Sequence, residues 1–190
     1  INYYYGIDQQ GDLHNIDVQL NPFNKNFNKE HSFMLLSDYS IGLIKLGKPK
    51  QALQILEALN KNLPNQAKVV SNLGTAYELN GELDSALKYI RLGIKLNSKS
   101  HEGSEWVHVK VLETKLKLLT QLDYLKTHSL LNLSGKQKND SIVCSQIDIQ
   151  IRERFPFSLG SDPIMASLLI DLAYCYANRK SVEYAKALYQ

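Results

Sequence analysis

The chain has 190 residues, a formal net charge of +3 and 44% hydrophobic residues, which is enough for a buried core without a disulfide or metal staple. Its charges form no block of five or six of one sign, so neither a nucleic-acid arm nor a polybasic membrane anchor is indicated, and no stretch approaches the ~18 uninterrupted apolar residues of a membrane-crossing helix. Cys144 and Cys175 lie among apolar residues without C-x-x-C spacing; they read as buried thiols rather than as a metal or redox motif, with a disulfide between them left open. The chain opens on Ile1 and stops in an apolar pattern at Tyr189-Gln190. Whether a targeting signal precedes it or further residues follow is therefore open, and the compartment, cytoplasmic or exported, is not readable.

Residues 1–32 are rich in Asn, Asp, Gln and Gly, carry Tyr3-Tyr4-Tyr5 and Pro22, and lack a sustained helical period. They are expected to form an extended or loop-like lead-in whose aromatic rings cover the apolar face of the first helix. From Phe33 a helical stripe runs through Leu36, Tyr39, Leu43 and Leu46 before Gly47 and Pro49 interrupt it. A second helix is expected from Pro49 to Asn62, with Leu53, Leu56 and Leu59 buried and Pro64 as the stop.

The next stretch repeats this plan at a shift of 34: Gly47 falls on Gly81, Ala52 on Ala86, Leu53 on Leu87, Leu56 on Ile90 and Leu43 on Tyr77. Self-similarity at that period marks stacked helix-turn-helix units. Gly74 and Ala86 are expected where the paired helices cross closely, Gly81 at the left-handed turn between them, Val70, Leu73, Tyr77 and Ile90 in the core, and Gly93 where room is left for a following repeat.

A third unit begins SHEGSEWVHVKVLETKLKLL, with Trp106, Val109, Leu112, Leu116 and Leu119 at helical spacing. Lys115 and Thr120 stand where Gly and Ala recur earlier, so this helix is expected to run on, followed by a shorter packing element in DYLKTHSLLNLS. Residues 134–140 read as an exposed loop. SIVCSQIDIQIRERF carries both a period of two and a helical period through Val143, Ile147, Ile151 and Phe155. Helix is favoured, because Asp140 or Ser141 can cap it and Arg152 and Arg154 suit its C-terminal end. From Asp162 a further helix pair is expected, with Leu169, Leu172, Ala173 and Tyr176 in the first helix and Ala185 and Tyr189 in the second.

The segment VVSNLGTAYELNGELDSALKYIRLGIKLNS resembles the tetratricopeptide repeat closely, with Ser40 for Gly in the preceding copy and Ser98 in place of the terminal Pro as departures. The resemblance is strong over 33–100 and partial over 101–120 and 163–190; the later segments are also similar to bacterial tetratricopeptide proteins of no assigned function. It implies an all-α, tetratricopeptide-type helix-turn-helix solenoid, a right-handed superhelix with divergent C-terminal helices. The organisation is a lead-in over 1–32, a repeat region over 33–134 (33–66, 67–100 and a divergent 101–134), and a helical region over 135–190 with a partial repeat from about 163 to 190. It also implies a concave groove lined by the first helix of each repeat, with Asp38, Lys45, Ser71, Asn72, Thr75, Glu78 and Trp106 as groove residues. Asn72 and Glu78 are expected to be exposed, and Glu78, Glu102 and Glu105 to lend a field favouring neutral or basic segments. Chaperone-binding members of the family grip a terminal carboxylate through cations and asparagines. Here Ser37 and Ile41 replace a Lys and an Asn, Glu102 and Trp106 replace two cations, and only Asn72 agrees, so that clamp is not expected.

The function expected is non-catalytic recognition of a protein or peptide segment, with no catalytic residue, metal or cofactor and with self-association possible. The alternative is an accessory or regulatory domain of an enzyme or a self-associating assembly, with a less favoured small-ligand or metal site near His101–His108. There His101, Glu105 and His108 can share a helical face, but the zinc-protease pattern is incomplete. Nucleic-acid binding stands third, disfavoured by modest charge and the acids Asp38, Glu78, Glu102 and Glu105.

Overall fold

The computed structural model describes residues 29–158, 161–179, 186 and 187. The aromatic cluster of the lead-in and the expected core residues Ala185 and Tyr189 lie outside the described residues. All regular structure among those described is helical, and the chain divides into two compact units, Ile1–Leu96 and Asn97–Gln190. That division falls inside the 33–134 span expected to form one repeat region.

Among its described residues the first unit holds four helices: α1 (Lys29–Lys45), α2 (Pro49–Asn62), α3 (Ala67–Leu79) and α4 (Leu83–Leu96). The α1/α2 and α3/α4 pairs are joined by the same closure, 34 residues apart. Gly47 and Gly81 take left-handed φ values of 72° and 83°. In each turn the glycine N–H donates three residues back, to Ile44 O at 2.9 Å and Glu78 O at 3.0 Å. The following N–H, of Lys48 or Glu82, donates five residues back, to Leu43 O and Tyr77 O, both at 2.9 Å. This double bond onto the last turn satisfies carbonyls that a helix end otherwise leaves bare, and it needs a residue without a Cβ at its pivot. Lys48 O and Glu82 O then accept from Ala52 N and Ala86 N, so the next helix starts at once.

The buried stripes follow the sequence with corrections at their edges. Phe33, Leu36 and Leu43 are buried and Tyr39 is half-buried, but Leu46 lies beyond the end of α1 and is 73% exposed. Leu56 and Leu59 are fully buried together with Ile55, whereas Leu53 is half-buried. α1 packs on α2, α2 on α3, α3 on α4, and α1 also reaches α3. Gly74 is where α3 and α4 meet most tightly: a Cβ there would stand 2.6 Å from Ile90 Cδ1 and 3.1 Å from the Ile90 backbone nitrogen. The residue nearest Gly74 is thus Ile90, and Ala86 of α4 is fully buried. An added Cβ at Gly93 would lie 2.4 Å from Ser71 Oγ, so this glycine lets α4 approach α3 closely inside this unit.

The second unit is built differently. It contains a 3-10 turn (Ser100–Gly103), α5 (Glu105–Leu118), the single-turn helices α6 (Tyr124–Thr127) and α7 (Gly135–Lys138), then α8 (Ser141–Arg154) and α9 (Pro163–Arg179). α5 stops at Leu118 rather than running on, and Leu119 is 70% exposed; its buried face is Val107, Val111 and Leu112, with Trp106, Val109 and Leu116 half-buried. The stretch 134–140 is not a plain loop. Ser134 and Gln137 form a capping box that closes α7. α8 is a helix as expected, with Asp140 accepting from Ile142 N at 2.8 Å; Ile147 and Ile151 are buried, Val143 is half-buried and Phe155 is exposed.

One core joins Val107 and Val111 of α5, Leu130, Leu131 and Leu133 of the segment after α6, Cys144, Ile147 and Ile151 of α8, and Leu168, Leu172 and Cys175 of α9. Both cysteines are buried thiols, so no disulfide links them. Residues 129–131 have no helical ladder to satisfy them, and α9 supplies the missing partners. Ser129 Oγ donates to Asp171 Oδ1 at 2.7 Å, Leu131 N to Asp171 Oδ2 at 3.2 Å, and Leu130 N to Ser167 Oγ at 3.2 Å. Burial pushes the Asp171 carboxyl above the usual carboxylate range, against the downward pull of these two donors.

Two changes at glycines are expected to act in opposite directions. Gly74→Ala should destabilise the first unit by about 1 to 3 kcal/mol, because Ile90 is fully buried and has nowhere to retreat. Gly42→Ala, within α1 and with nothing inside 4 Å of the added Cβ, should stabilise by about 0.5 to 1 kcal/mol. Denaturant melts of both variants check the pair. Asp171→Ala should cost about 1 to 3 kcal/mol by leaving the Leu131 N–H and Ser129 hydroxyl without their acceptor, read as a lower melting temperature.

Candidate functional site

The residues expected in a groove separate when their surroundings are traced. Asp38 and Lys45 are exposed, Asp38 paired with Lys68 Nζ at 2.6 Å and Lys45 at the C-terminal end of α1. Asn72 is half-buried and its Nδ2 donates to Ser37 Oγ at 2.9 Å, which ties α3 to α1 side by side. Thr75 is half-buried with its hydroxyl turned back to Ser71 O at 3.3 Å. Ser71 is buried, and its Oγ, which has no hydrogen-bond partner, abuts Gly93. Glu78 is only 5% exposed, correcting its expected placement on an open surface. Trp106 belongs to the second unit, half-buried against that unit's core, with Nε1 donating to Gln146 Oε1 at 2.6 Å.

Beside this set the first unit carries a cleft of about 300 Å³. Phe33, Met34, Leu63 and Val69 give it an apolar lining, and Ser37, Gln66 and Lys68 place a hydroxyl, an amide and an ammonium on it. It therefore lies between the start of α1, the α2–α3 connection and the first turn of α3. Met34 is 49% exposed and Leu35 37%. These two fall outside the Phe33–Leu36–Leu43 stripe, and an apolar pair off the buried face of a surface helix was the available signal. The Asp38–Lys68 pair flanks the cleft on the solvent side and contributes little to stability, since both side chains are about half exposed.

A polar neighbour of a different kind lies on the convergence of α2, α3 and α4. Tyr77 Oη donates to Glu57 Oε1 at 2.6 Å, and its ring stacks on Tyr89 at 5.3 Å with planes 11° apart. Burial, then the bond to Glu57, raises the phenol above its ordinary range.

In the second unit the segment HEGSEWVH brings three of its four ionisable residues, His101, Glu105 and His108, together. Glu105 Oε1 is 2.5 Å from His101 Nδ1, and Oε2 is 3.5 Å from His108 Nδ1, too long for a directed hydrogen bond. Among the described residues no group of three His, Cys, Asp or Glu side chains is arranged to hold a metal ion, and none of the described helices is long and apolar enough to cross a membrane.

Comparison with protein-family models and with curated proteins returned no match.

Substitutions at the expected groove positions should divide by burial. Glu78→Lys should lower stability by about 2 kcal/mol or more, because it reverses a charge at a buried position. Asn72→Ala should cost about 1 kcal/mol through loss of the bond to Ser37. Lys45→Glu and Thr75→Ala should each stay within about 0.5 to 1 kcal/mol of wild type. Thermal melts monitored by circular dichroism check the series.

Proposed function

We propose that this chain is a helical-repeat protein of the tetratricopeptide type whose first unit binds a protein or peptide segment without transforming it. The observation that supports the reading is the pair of matched hairpins: the same closure recurs at Gly47 and Gly81, and α1 and α3, in this reading the first helices of successive repeats, are bridged by Asn72 and Ser37. Adjacent first helices present a ribbed face on which a partner segment can lie.

The contact point on that face is the apolar cleft rather than the polar row expected from the repeat positions. A segment carrying one aliphatic or aromatic anchor side chain fits a pocket lined by Phe33, Met34, Leu63 and Val69, and Gln66, Lys68 and Asp38 supply polar contacts around the anchor. The expected preference for basic segments loses its support, because Glu78 and Glu105 are both buried and Glu102 and Glu105 belong to the other unit.

Selection of a displayed random peptide library on the purified chain is the test. Enriched peptides should share an apolar anchor, and Met34→Glu and Lys68→Glu should each weaken them at least about tenfold, or 1.4 kcal/mol, with the circular-dichroism spectrum unchanged. Absence of enrichment, or peptides whose affinity is untouched by both variants, would overturn the reading.

A further inference from the structure

Glu105 opens α5 with only 5% of its surface exposed, so its carboxylate has almost no water to stabilise a charge. Burial alone would raise its pKa, yet the imidazoles of His101 and His108 bring it down to about 2, which keeps it ionised at neutral pH. Oε2 has no hydrogen-bond partner. The short bond from His101 Nδ1 to Oε1 is therefore the main answer to the buried charge, and the His101 side chain is 45% exposed, open to protons from solvent.

His101 reaches Glu105 through an unfavourable piece of backbone. His101, Glu102 and Gly103 are left-handed in succession, with φ values of 48°, 55° and 76°, and the first two carry a Cβ that disfavours this region. Neutral bonds hold the turn to α8: Gln146 Nε2 donates to Glu102 O at 3.1 Å, Trp106 Nε1 to Gln146 Oε1, and Gln150 Nε2 to buried Ser104 Oγ at 3.0 Å. The ionisable tie across the turn is His101 to Glu105.

We propose that His101 and Glu105 form a proton-controlled latch that keeps this left-handed turn closed and the head of α5, including Trp106, seated on α8. The groups that act on His101 electrostatically are Glu105 on α5 and Glu153 on α8, both favouring the imidazolium; His108 lies on the far oxygen of Glu105, and exposed Glu102 belongs to the turn itself. The hydrogen bond to Glu105 is the largest influence, burial opposes it, and the balance raises the His101 pKa above the ordinary 6.5. A folded pKa above the unfolded one gives stability that is fully present below 6.5 and is lost as pH rises through the folded value. The latch thus loosens toward alkaline pH.

Trp106 is the sole tryptophan of the chain, so its emission reads the seat of α5 directly. Wild-type emission titrated from about pH 5 to 9 should show a one-proton change centred above 6.5, and the His101 ring resonances should titrate with the same midpoint. His101→Gln should abolish the emission change, and Glu105→Gln should move the His101 midpoint down. A flat wild-type emission profile, a change that survives His101→Gln, or a His101 midpoint at or below 6.5 would overturn the latch. If either variant fails to fold, the two wild-type titrations decide.

Discussion

The first unit depends on how its helix pairs are closed. A chain that reverses direction within three residues must satisfy the last carbonyls of one helix while starting the next, and the left-handed glycines at 47 and 81 allow both at once. The close contacts of α3 with α4 assume that reversal: Gly74 against Ile90 and Ser71 against Gly93 require the paired helices to run back along each other at close range. A side chain with a Cβ at either pivot would strain the turn before any packing was disturbed.

The second unit reaches a packed core without that device. α5 has no glycine closure, and the chain after it runs through one short helix into a segment whose Leu130, Leu131 and Leu133 enter the core directly. Its backbone needs acceptors that a helix would have supplied internally, and Asp171 and Ser167 of α9 provide them. The cost is a carboxylate held in a place that disfavours its charge. The two units thus solve the same problem of backbone satisfaction by local closure in one and by long-range side chains in the other.

This difference also accounts for what was legible in the sequence. The turns of α1 to α4 and the start of α2 could be read because their determinants are local: glycine at the pivot, proline at the first turn of α2, apolar residues at helical spacing; α1 starts at Lys29, inside the lead-in expected over 1–32. α8 was legible for the same reason, through Asp140 and the Ile147–Ile151 spacing. The end of α5 was not, because no glycine or proline marks it and the turn that closes it, Leu119 N to Leu116 O and Gln121 N to Lys117 O, uses backbone groups alone. The buried face of α5 was misjudged by a rotation that puts Val107 and Val111 inward and leaves Leu119 in solvent. Of the candidate groove, Asp38 and Lys45 are exposed, while Glu78 was taken for exposed because periodicity marks a helix face without saying what covers it. The cleft beside Met34 needs Leu63 from the α2–α3 connection and Val69 from the first turn of α3, and no single-helix pattern displays it.

Both cysteines of the chain are in the second unit, Cys144 on α8 and Cys175 on α9, and both are buried in its core. A thiol reagent added to the native protein must therefore wait for that unit to open, and its reaction rate registers excursions there while remaining blind to those of the first unit. Thiol modification is in this sense a domain-resolved clock already present in the natural sequence, able to time the opening of one half of the chain without labelling the other.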